Sequence, residues 1–228
     1  MKTGVVIAAG GSSTRMNQKD KLMIMIENVP VIIRSIAAFL NLKEITQIVV
    51  VCPQEKIKQY KNLISGVFND KVTVIGGGCS RRESVFNGIR QLDADTDYVL
   101  IHDGARPLIK ETDIRKCINA TKQYLACCLA VRSKDTIKVV DEDLKIENTL
   151  DRNKLYNIQT PQGFTYEIAY EMHLMAEKYK IEAVDDCILA EKSGHEVYVV
   201  EGSYDNIKIT TDEDIKYVEF LLLHRQNT

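Results

Sequence analysis

The chain has 228 residues, of which 45% are hydrophobic, and its formal net charge at pH 7 is −2. This length suits one sizeable α/β domain, so two independent domains are not expected. The slightly acidic balance argues against bulk binding of nucleic acid or of a membrane surface, because both usually require an excess of basic residues. The longest apolar runs fall far short of the about 20 residues that a membrane-spanning helix needs.

The cysteines and the N-terminus indicate a cellular compartment. Six cysteines are spread along the chain without a Cys-x-x-Cys pair, which favours reduced, mostly buried thiols over a disulfide or zinc framework. Met1 leads almost directly into the first predicted strand, so we expect no signal or transit peptide. Both observations predict a cytoplasmic protein.

Strand and helix patterns alternate from the N-terminus to about residue 131. The predicted strands are 4–8, 45–52, 71–75, 98–101 and 127–131, and the predicted helices are 29–42, 55–65, 80–92 and 111–125. Repeated βαβ units predict the α/β class, with a mostly parallel twisted sheet and helices on both faces. Ligands of such sheets bind outside the carboxyl ends of the strands.

The pattern changes between about residues 134 and 160, where polar and β-branched residues alternate around an acidic turn at 141–143. We interpret this segment as an extended β-arm. A two-stranded ribbon is only marginally stable alone, so we expect it to pair with a second copy of the chain. Helices at 166–179, 183–192 and 212–224 and a strand at 196–200 follow. No linker divides the chain, which predicts a single domain over 1–228.

The first strand opens into a turn rich in small residues. Successive backbone N–H groups in such a turn can converge on an anion, and the expected nucleotide contacts are Ala9, Gly10, Gly11, Ser12 and Ser13. Arg15 and Lys21 follow and can neutralise phosphate oxygens. The spacing fits neither a P-loop nor a dinucleotide-binding fingerprint. The alternative is an ordinary strand-to-helix turn with a solvated arginine.

A second glycine-rich turn lies at residues 76–84, between a predicted strand and a predicted helix. Gly77 and Gly78 allow main-chain groups to contact a flat ligand such as a nucleobase, and Ser80 or Ser84 can cap the helix or bond a ring. A helix cap with two solvated arginines explains the same residues.

Two acidic positions are candidate magnesium ligands. Asp103 follows the buried strand 98–101, and Mg²⁺ needs few protein ligands when phosphates supply the others. In the run 184–186, adjacent acids are typical of a helix start, which explains Asp186, whereas Asp185 is the better candidate for a second magnesium contact. Lys208 lies in the β-compatible stretch 207–209, where a solvent-facing lysine is the ordinary expectation.

Several motifs occur in one order along the chain. They are the runs at 8–16, 76–84, 102–107, 135–138, 151–153, 159–162, 184–186 and 205–210. Together they resemble the 2-C-methyl-D-erythritol 4-phosphate cytidylyltransferase family, essentially end to end. The resemblance implies a Rossmann-like nucleotidyltransferase that transfers CMP from CTP to the sugar phosphate in the non-mevalonate isoprenoid pathway. It also implies Mg²⁺ and a homodimer whose β-arms reach the partner's site.

The resemblance assigns roles residue by residue. Arg15 and Lys21 would be the triphosphate-binding and catalytic pair, with Lys208 also catalytic; Gly78 and Ser84 would help to hold cytidine, and Asp103 would hold magnesium beside the substrate. The positions around the sugar phosphate would be Arg106, Thr136, Arg152, Thr160 and Lys208. Arg152 and Thr160 are expected from the neighbouring subunit.

Two alternatives stay open. A ribitol 5-phosphate cytidylyltransferase would run the same chemistry, although that family is expected to show Val-Arg-Pro after its His-Asp-Ala and Ser-Asp-Ala in place of residues 184–186. A non-catalytic nucleotide-binding protein on this fold is disfavoured because every charged residue that the reaction uses is present.

Overall fold

The computed structural model describes residues 1–10 and 20–225. Its strands are β1 (Thr3–Ala8), β2 (Met25–Ile26), β3 (Val29–Pro30), β4 (Ile45–Cys52), β5 (Val72–Gly76), β6 (Tyr98–Asp103), β7 (Ala126–Arg132), β8 (Lys138–Val140), β9 (Ile146–Thr149), β10 (Tyr156–Thr165) and β11 (Tyr198–Glu201). Its α-helices are α1 (Val31–Leu40), α2 (Ile57–Phe68), α3 (Arg81–Arg90), α4 (Glu111–Tyr124), α5 (Tyr166–Tyr179), α6 (Asp186–Lys192) and α7 (Asp212–Arg225). Short 3₁₀ turns lie at Gln54–Lys56, Asn69–Lys71 and Arg152–Lys154.

A seven-stranded sheet organises the fold, in the order β11-β7-β10-β6-β1-β4-β5. Strand β10 runs antiparallel to both of its neighbours, and every other pair in this sheet is parallel. The prediction of an α/β fold with a mostly parallel sheet is therefore confirmed. Runs of β-branched residues form these strands because they are buried on both faces.

Helices cover both faces of the sheet, as predicted. Helices α1, α2, α4 and α7 contribute to a core on one face, and α3, α5 and α6 contribute to the core on the other. Alternate residues of one strand enter opposite cores: Val5 and Ile7 point to the first, and Val6 points to the second. Continuous apolar strands follow from this double burial.

Strand β10 corrects the predicted boundary of the arm. Residues 156–160, which we assigned to the arm, belong to the main sheet, and β10 continues to Thr165. The segment did not look like a strand because Pro161 lies between buried polar residues. Its pairing with β7 shifts register between Ile158 and Gln162, and a proline in a central strand is tolerated at such an irregularity.

The arm itself is a separate two-stranded hairpin. Strands β8 and β9 pair antiparallel, and every residue in both strands is exposed. The prediction of an extended ribbon is confirmed, with a shorter span than expected. Helix α6 also differs from its prediction, since it begins at Asp186 instead of 183. Within the described parts of the chain, none of the helices combines the length and the apolar character needed to cross a membrane.

Candidate active site

The carboxyl ends of the parallel strands form one edge of the sheet, and a pocket opens there. Ala8 lies opposite both Val51 and Asp103 in the register, so strands β1, β4 and β6 end at the same level. The chain turns immediately afterwards, with the Ala9 N–H donating to the Val51 carbonyl and the Gly104 N–H donating to the Ala8 carbonyl. The pocket is lined by Ala8, Ala9, Gly10, Asp20, Lys21, Leu22, Arg81, Asp103, Ala105 and Lys208. It lies where ligands of parallel sheets bind.

Asp103 is the acidic centre of this pocket. Its carboxylate oxygens lie 2.8 Å from Lys208 Nζ, 3.6 Å from Arg81 Nη2 and 3.7 Å from Arg106 Nε. Burial alone would favour the neutral acid, but Lys208, Arg81 and Arg106 outweigh it and hold the pKa of Asp103 well below its usual value. The carboxylate is therefore ionised at neutral pH and surrounded by cations.

Lys208 reaches Asp103 from the segment that precedes α7. The Ile209 N–H donates to the Ala105 carbonyl at 2.9 Å, which fixes the backbone next to Lys208. Asn206, fully buried, donates its side-chain amide to the Thr160 carbonyl, and its own carbonyl accepts a hydrogen bond from Arg106. The ordinary expectation of a solvent-facing lysine is only part of the picture: the side chain is 40% exposed, but its ammonium group meets Asp103.

Lys21 lines the same pocket and is held between two anchored residues. Asp20 is 2.9 Å from Lys56 Nζ and accepts a hydrogen bond from the Tyr60 hydroxyl, and Leu22 is buried in the core. Ala9 and Gly10 also line the pocket, as the phosphate-turn interpretation requires. The other predicted residues of this turn, namely Gly11, Ser12, Ser13 and Arg15, lie outside the described residues.

The second glycine-rich turn packs tightly against the start of α3. Ser80 caps the helix by accepting the Glu83 N–H, and the Glu83 carboxylate accepts the Cys79 N–H in return. A Cβ on Gly77 would lie 2.5 Å from Ser84 Oγ, so glycine is needed there. The Ser84 hydroxyl bonds the Gly78 N–H and the Ser80 carbonyl.

Gly10, in the described part of the first turn, lies next to the second turn. A Cβ built on Gly10 would lie 3.9 Å from Ser84 Oγ, so these two predicted nucleotide-binding residues are neighbours at one edge of the sheet. Ser84 serves the turn itself in this structure, and its predicted contact with cytidine stays a prediction, as do those of Gly77 and Gly78.

Arg106 and Thr160 both support Asp103 from within the same chain. The Thr160 hydroxyl accepts the Asp103 N–H at 3.0 Å and bonds the ring of His102, which is fully buried. We expected Thr160 at the base of the arm, contributed by the neighbouring subunit; instead it lies in β10 beneath its own Asp103. Arg106 is also buried and donates to the carbonyls of Asn206 and Ile158.

Thr136 and Arg152 lie apart from this pocket within the described chain. Both are exposed on or beside the arm, and Arg152 donates to the Lys134 carbonyl at 3.3 Å. Neither residue is among the pocket's lining residues. Their predicted contacts with the sugar phosphate would therefore require a second subunit.

The two acids at the start of α6 have different surroundings. Asp185 caps the helix by accepting the Ile188 N–H at 3.0 Å. Asp186, which we explained only as a helix start, is buried and lies 2.8 Å from Arg81 Nη2. The proposed metal contact of Asp185 stays a prediction.

Sequence reasoning missed Arg81 and Asp186. Arg81 entered the sequence analysis only in the alternative explanation, as a solvated arginine, but its side chain is only 23% exposed and bridges Asp186 and Asp103. Burial opposes its charge, yet Asp186 and Asp103 raise the pKa of Arg81 above its usual value. The position of Arg81 within the motif at 76–84 was the available signal.

A family model describes the chain over nearly its whole length. The model for 2-C-methyl-D-erythritol 4-phosphate cytidylyltransferase matches residues 3–224. The chain belongs to this family. The resemblance deduced from the motifs is thus confirmed.

Similar proteins support the same assignment. A 2-C-methyl-D-erythritol 4-phosphate cytidylyltransferase of Dictyoglomus thermophilum is 42% identical over 222 residues, covering 96% of this chain and 95% of that protein. Its counterpart in Caldanaerobacter subterraneus is 42% identical over 225 residues, covering 97% and 99%. The crystal structure of 4-diphosphocytidyl-2C-methyl-D-erythritol synthase from Anaerococcus prevotii is similar with a TM-score of 0.87 at 32% identity, covering 97% and 98%.

Proposed function

We propose that the pocket at Asp103 is where this cytidylyltransferase joins CTP to 2-C-methyl-D-erythritol 4-phosphate, releasing pyrophosphate and 4-(cytidine 5'-diphospho)-2-C-methyl-D-erythritol. The activity follows from the family, the model of which spans residues 3–224. One observation carries the location: Lys21, Arg81 and Lys208 line one pocket around an ionised Asp103, at the strand ends. Such a concentration of fixed cations suits a substrate pair that carries several phosphates.

The chemistry needs charge neutralisation more than proton transfer. A phosphate oxygen of the sugar phosphate is largely ionised at neutral pH, because its second pKa is about 6. It attacks the α-phosphorus of CTP, and the bond from that phosphorus to the pyrophosphate oxygen breaks in line. In our proposal Lys21, with Arg15 from the same turn, neutralises the triphosphate, and Lys208 holds the attacking phosphate. Positioning two anions against each other is then the main catalytic task.

Magnesium is part of this proposal, and the donor set suits it. Mg²⁺ commonly binds through one or two carboxylates while substrate phosphates and water complete its shell. Asp103 supplies an ionised carboxylate on the pocket wall, and Asp185 lies close enough to Arg81 to raise the pKa of that guanidinium. When bound with CTP, the ion would neutralise phosphate charge.

A homodimer through the arm is also proposed. The hairpin β8–β9 exposes large apolar side chains, including Val139, Val140 and Ile146, and such a ribbon gains stability by pairing. Thr136 and Arg152 would then reach the partner's sugar phosphate. A cytoplasmic location is proposed because the six cysteines are free thiols, which suits a reducing compartment.

Pyrophosphate release tests the proposal directly. The purified protein is assayed with CTP, ATP, GTP or UTP and Mg²⁺, each combined with 2-C-methyl-D-erythritol 4-phosphate or ribitol 5-phosphate. We expect release with CTP and the first acceptor only. Faster release with ribitol 5-phosphate would favour the alternative substrate. CTP binding in a thermal-shift measurement without turnover on either acceptor would favour a non-catalytic nucleotide-binding protein.

A further inference from the structure

A buried carboxylate lies directly behind the wall of the pocket. Asp186 is 1% exposed, and its two oxygens face different partners: Oδ2 is 2.8 Å from Arg81 Nη2, and Oδ1 is 3.2 Å from His173 Nε2. His173, on α5, is fully buried and stacks on Phe86 with ring centroids 5.5 Å apart. Arg81, Asp186 and His173 thus form a line from the pocket into the core.

The backbone segments that carry Arg81 and Asp186 are both anchored by hydrogen bonds. Gln162 in β10 accepts the N–H groups of Asp186 and Cys187, at 2.9 and 3.2 Å, which ties the start of α6 to the sheet. Arg81 is the first residue of α3, next to its cap Ser80. The guanidinium group therefore extends between two anchored helix starts and arrives 3.6 Å from Asp103.

Stability alone is a weak reason for this arrangement. Removing two charges from water costs free energy that their attraction only partly returns, so a well-packed apolar pair in their place is often equally stable. In this case one oxygen of the buried Asp186 carboxylate faces Arg81, and Arg81 lines the pocket, so the geometry favours a role for the pair at the pocket.

We infer that Asp186 is a positioning residue that acts through Arg81: it holds the guanidinium at the pocket wall beside Asp103, where the phosphates of the substrates meet. His173 lies on the core side, 3.2 Å from the other carboxylate oxygen. This inference rests on the proposed function of the pocket. It adds a third cation, Arg81, to the two lysines that line the pocket, and it gives the second acid of the run 184–186 a role of its own.

A double-mutant cycle tests whether Asp186 acts through Arg81. Wild type, Arg81→Met, Asp186→Asn and the double variant are compared by kcat and KM for both substrates and by Tm. We expect Arg81→Met to lower kcat by about 100-fold, the usual effect of losing one preorganised charge. Asp186→Asn should lower kcat by about tenfold, because the arginine is present but misplaced. The double variant should be no slower than Arg81→Met.

Two matched controls separate positioning from general stability. Arg90 lies on the same helix α3, is 41% exposed and pairs with Glu177 at 2.9 Å, so Arg90→Met should leave kcat within about twofold of wild type. Asp113 is also a buried acid in the first turn of a helix, 2.9 Å from Lys116, and lies outside the pocket's lining. Asp113→Asn should lower Tm without a change in the kcat of the folded protein.

The outcomes are distinguishable. An unchanged kcat in folded Asp186→Asn, or a double variant that multiplies the two single losses, would overturn the inference. If Asp186→Asn alone does not fold at the assay temperature, the double variant is compared with Arg81→Met, because it leaves no unpaired buried charge between these two residues. Equal rates support the inference. A rate of the double variant at least threefold lower than that of Arg81→Met overturns it. A wild type that releases no pyrophosphate counts against the proposed function instead.

Discussion

The pocket end of the sheet and the β8–β9 hairpin differ in where their polar side chains find partners. Around Asp103, polar residues from distant segments meet: Lys208 precedes α7, Arg81 starts α3, and Thr160 lies in β10. In the hairpin, contacts are local, as in the bond from Lys138 Nζ to Thr149 Oγ1 across one pair of strands.

The two regions also differ in how far their apolar side chains are buried. Leu100 and Ile101, on the strand that ends at Asp103, are fully buried, whereas Leu144 and Ile146 in the hairpin are 81% and 58% exposed. In the first region, the charges around Asp103 and the apolar side chains of its strand have partners within one chain. The second is stable only at the margin until another surface covers it. Four predictions test this contrast.

The largest effect is expected at Lys21. Lys21→Ala should lower kcat by about 100- to 1000-fold, because one preorganised charge at a developing oxyanion is worth about 3–4 kcal/mol. The fold should persist, since Lys21 lies at the pocket rather than in the core. Steady-state pyrophosphate release and circular dichroism measure the two effects. Lys58, exposed on α2, provides the control, and Lys58→Ala should retain full activity. Activity of Lys21→Ala within a few-fold of wild type would refute the role.

The next effect is expected at Asp103. Asp103→Asn should raise the Mg²⁺ concentration that gives half-maximal rate, because a neutral amide is a weaker ligand for a hard cation than a carboxylate. The same variant removes the anion that Lys208 and Arg81 face, so kcat should fall as well. A magnesium titration at saturating CTP separates the two effects. If the titration midpoint is unchanged while kcat falls, Asp103 arranges the cations and does not hold the metal.

Much of the framework could be predicted from the sequence, because buried parallel strands are continuous β-branched runs. Strand Ile45–Cys52 was predicted to the residue, and helix Tyr166–Tyr179 likewise. Strand β10 could not be, because its buried residues include polar ones. Gln162 bonds the start of α6 and Gln159 bonds the Ser203 carbonyl, so their burial depends on tertiary partners that the sequence pattern does not reveal.

The site residues also fall into those that could be predicted from the sequence and those that could not. Asp103 and the two lysines could be found because they follow predicted strands or lie in recognisable motifs. The pairing of Arg81 with Asp186 could not, because the two residues meet only through the packing of α3 and α6 on one face of the sheet. A run of two acids before a helix indicates a cap, and it was Asp185 that took this role.

A third prediction concerns sharing of the site between subunits. If the arm crosses, Lys21 and Arg152 serve one reaction from different chains. Mixing inactive Lys21→Ala with inactive Arg152→Ala at equal amounts, with subunit exchange, should then restore activity. Half of the dimers would be mixed and each would have one intact site of two, so recovery should approach about a quarter of the wild-type rate per subunit. As a control, two differently labelled preparations of Lys21→Ala are mixed in the same way: the labels verify subunit exchange, and no activity should be recovered. Exchange without restored activity in the mixture would mean that each chain completes its own site.

The smallest effect on the fold is expected in the arm. Ile146 is mostly exposed, so Ile146→Ser should change the unfolding free energy of a monomer by at most about 0.5 kcal/mol. Leu100→Ala, in the buried strand β6, should lower the unfolding free energy by about 2–5 kcal/mol.

If the hairpin's apolar side chains face a second copy, Ile146→Ser should instead weaken association, so that sedimentation detects monomers at concentrations where the wild type is dimeric. Because the sugar phosphate would lose its contacts from the neighbour, its KM should rise as the dimer dissociates, while CTP binding should persist. A dimer of unchanged affinity would show that the two copies meet elsewhere on the chain and that the exposed hairpin has another partner.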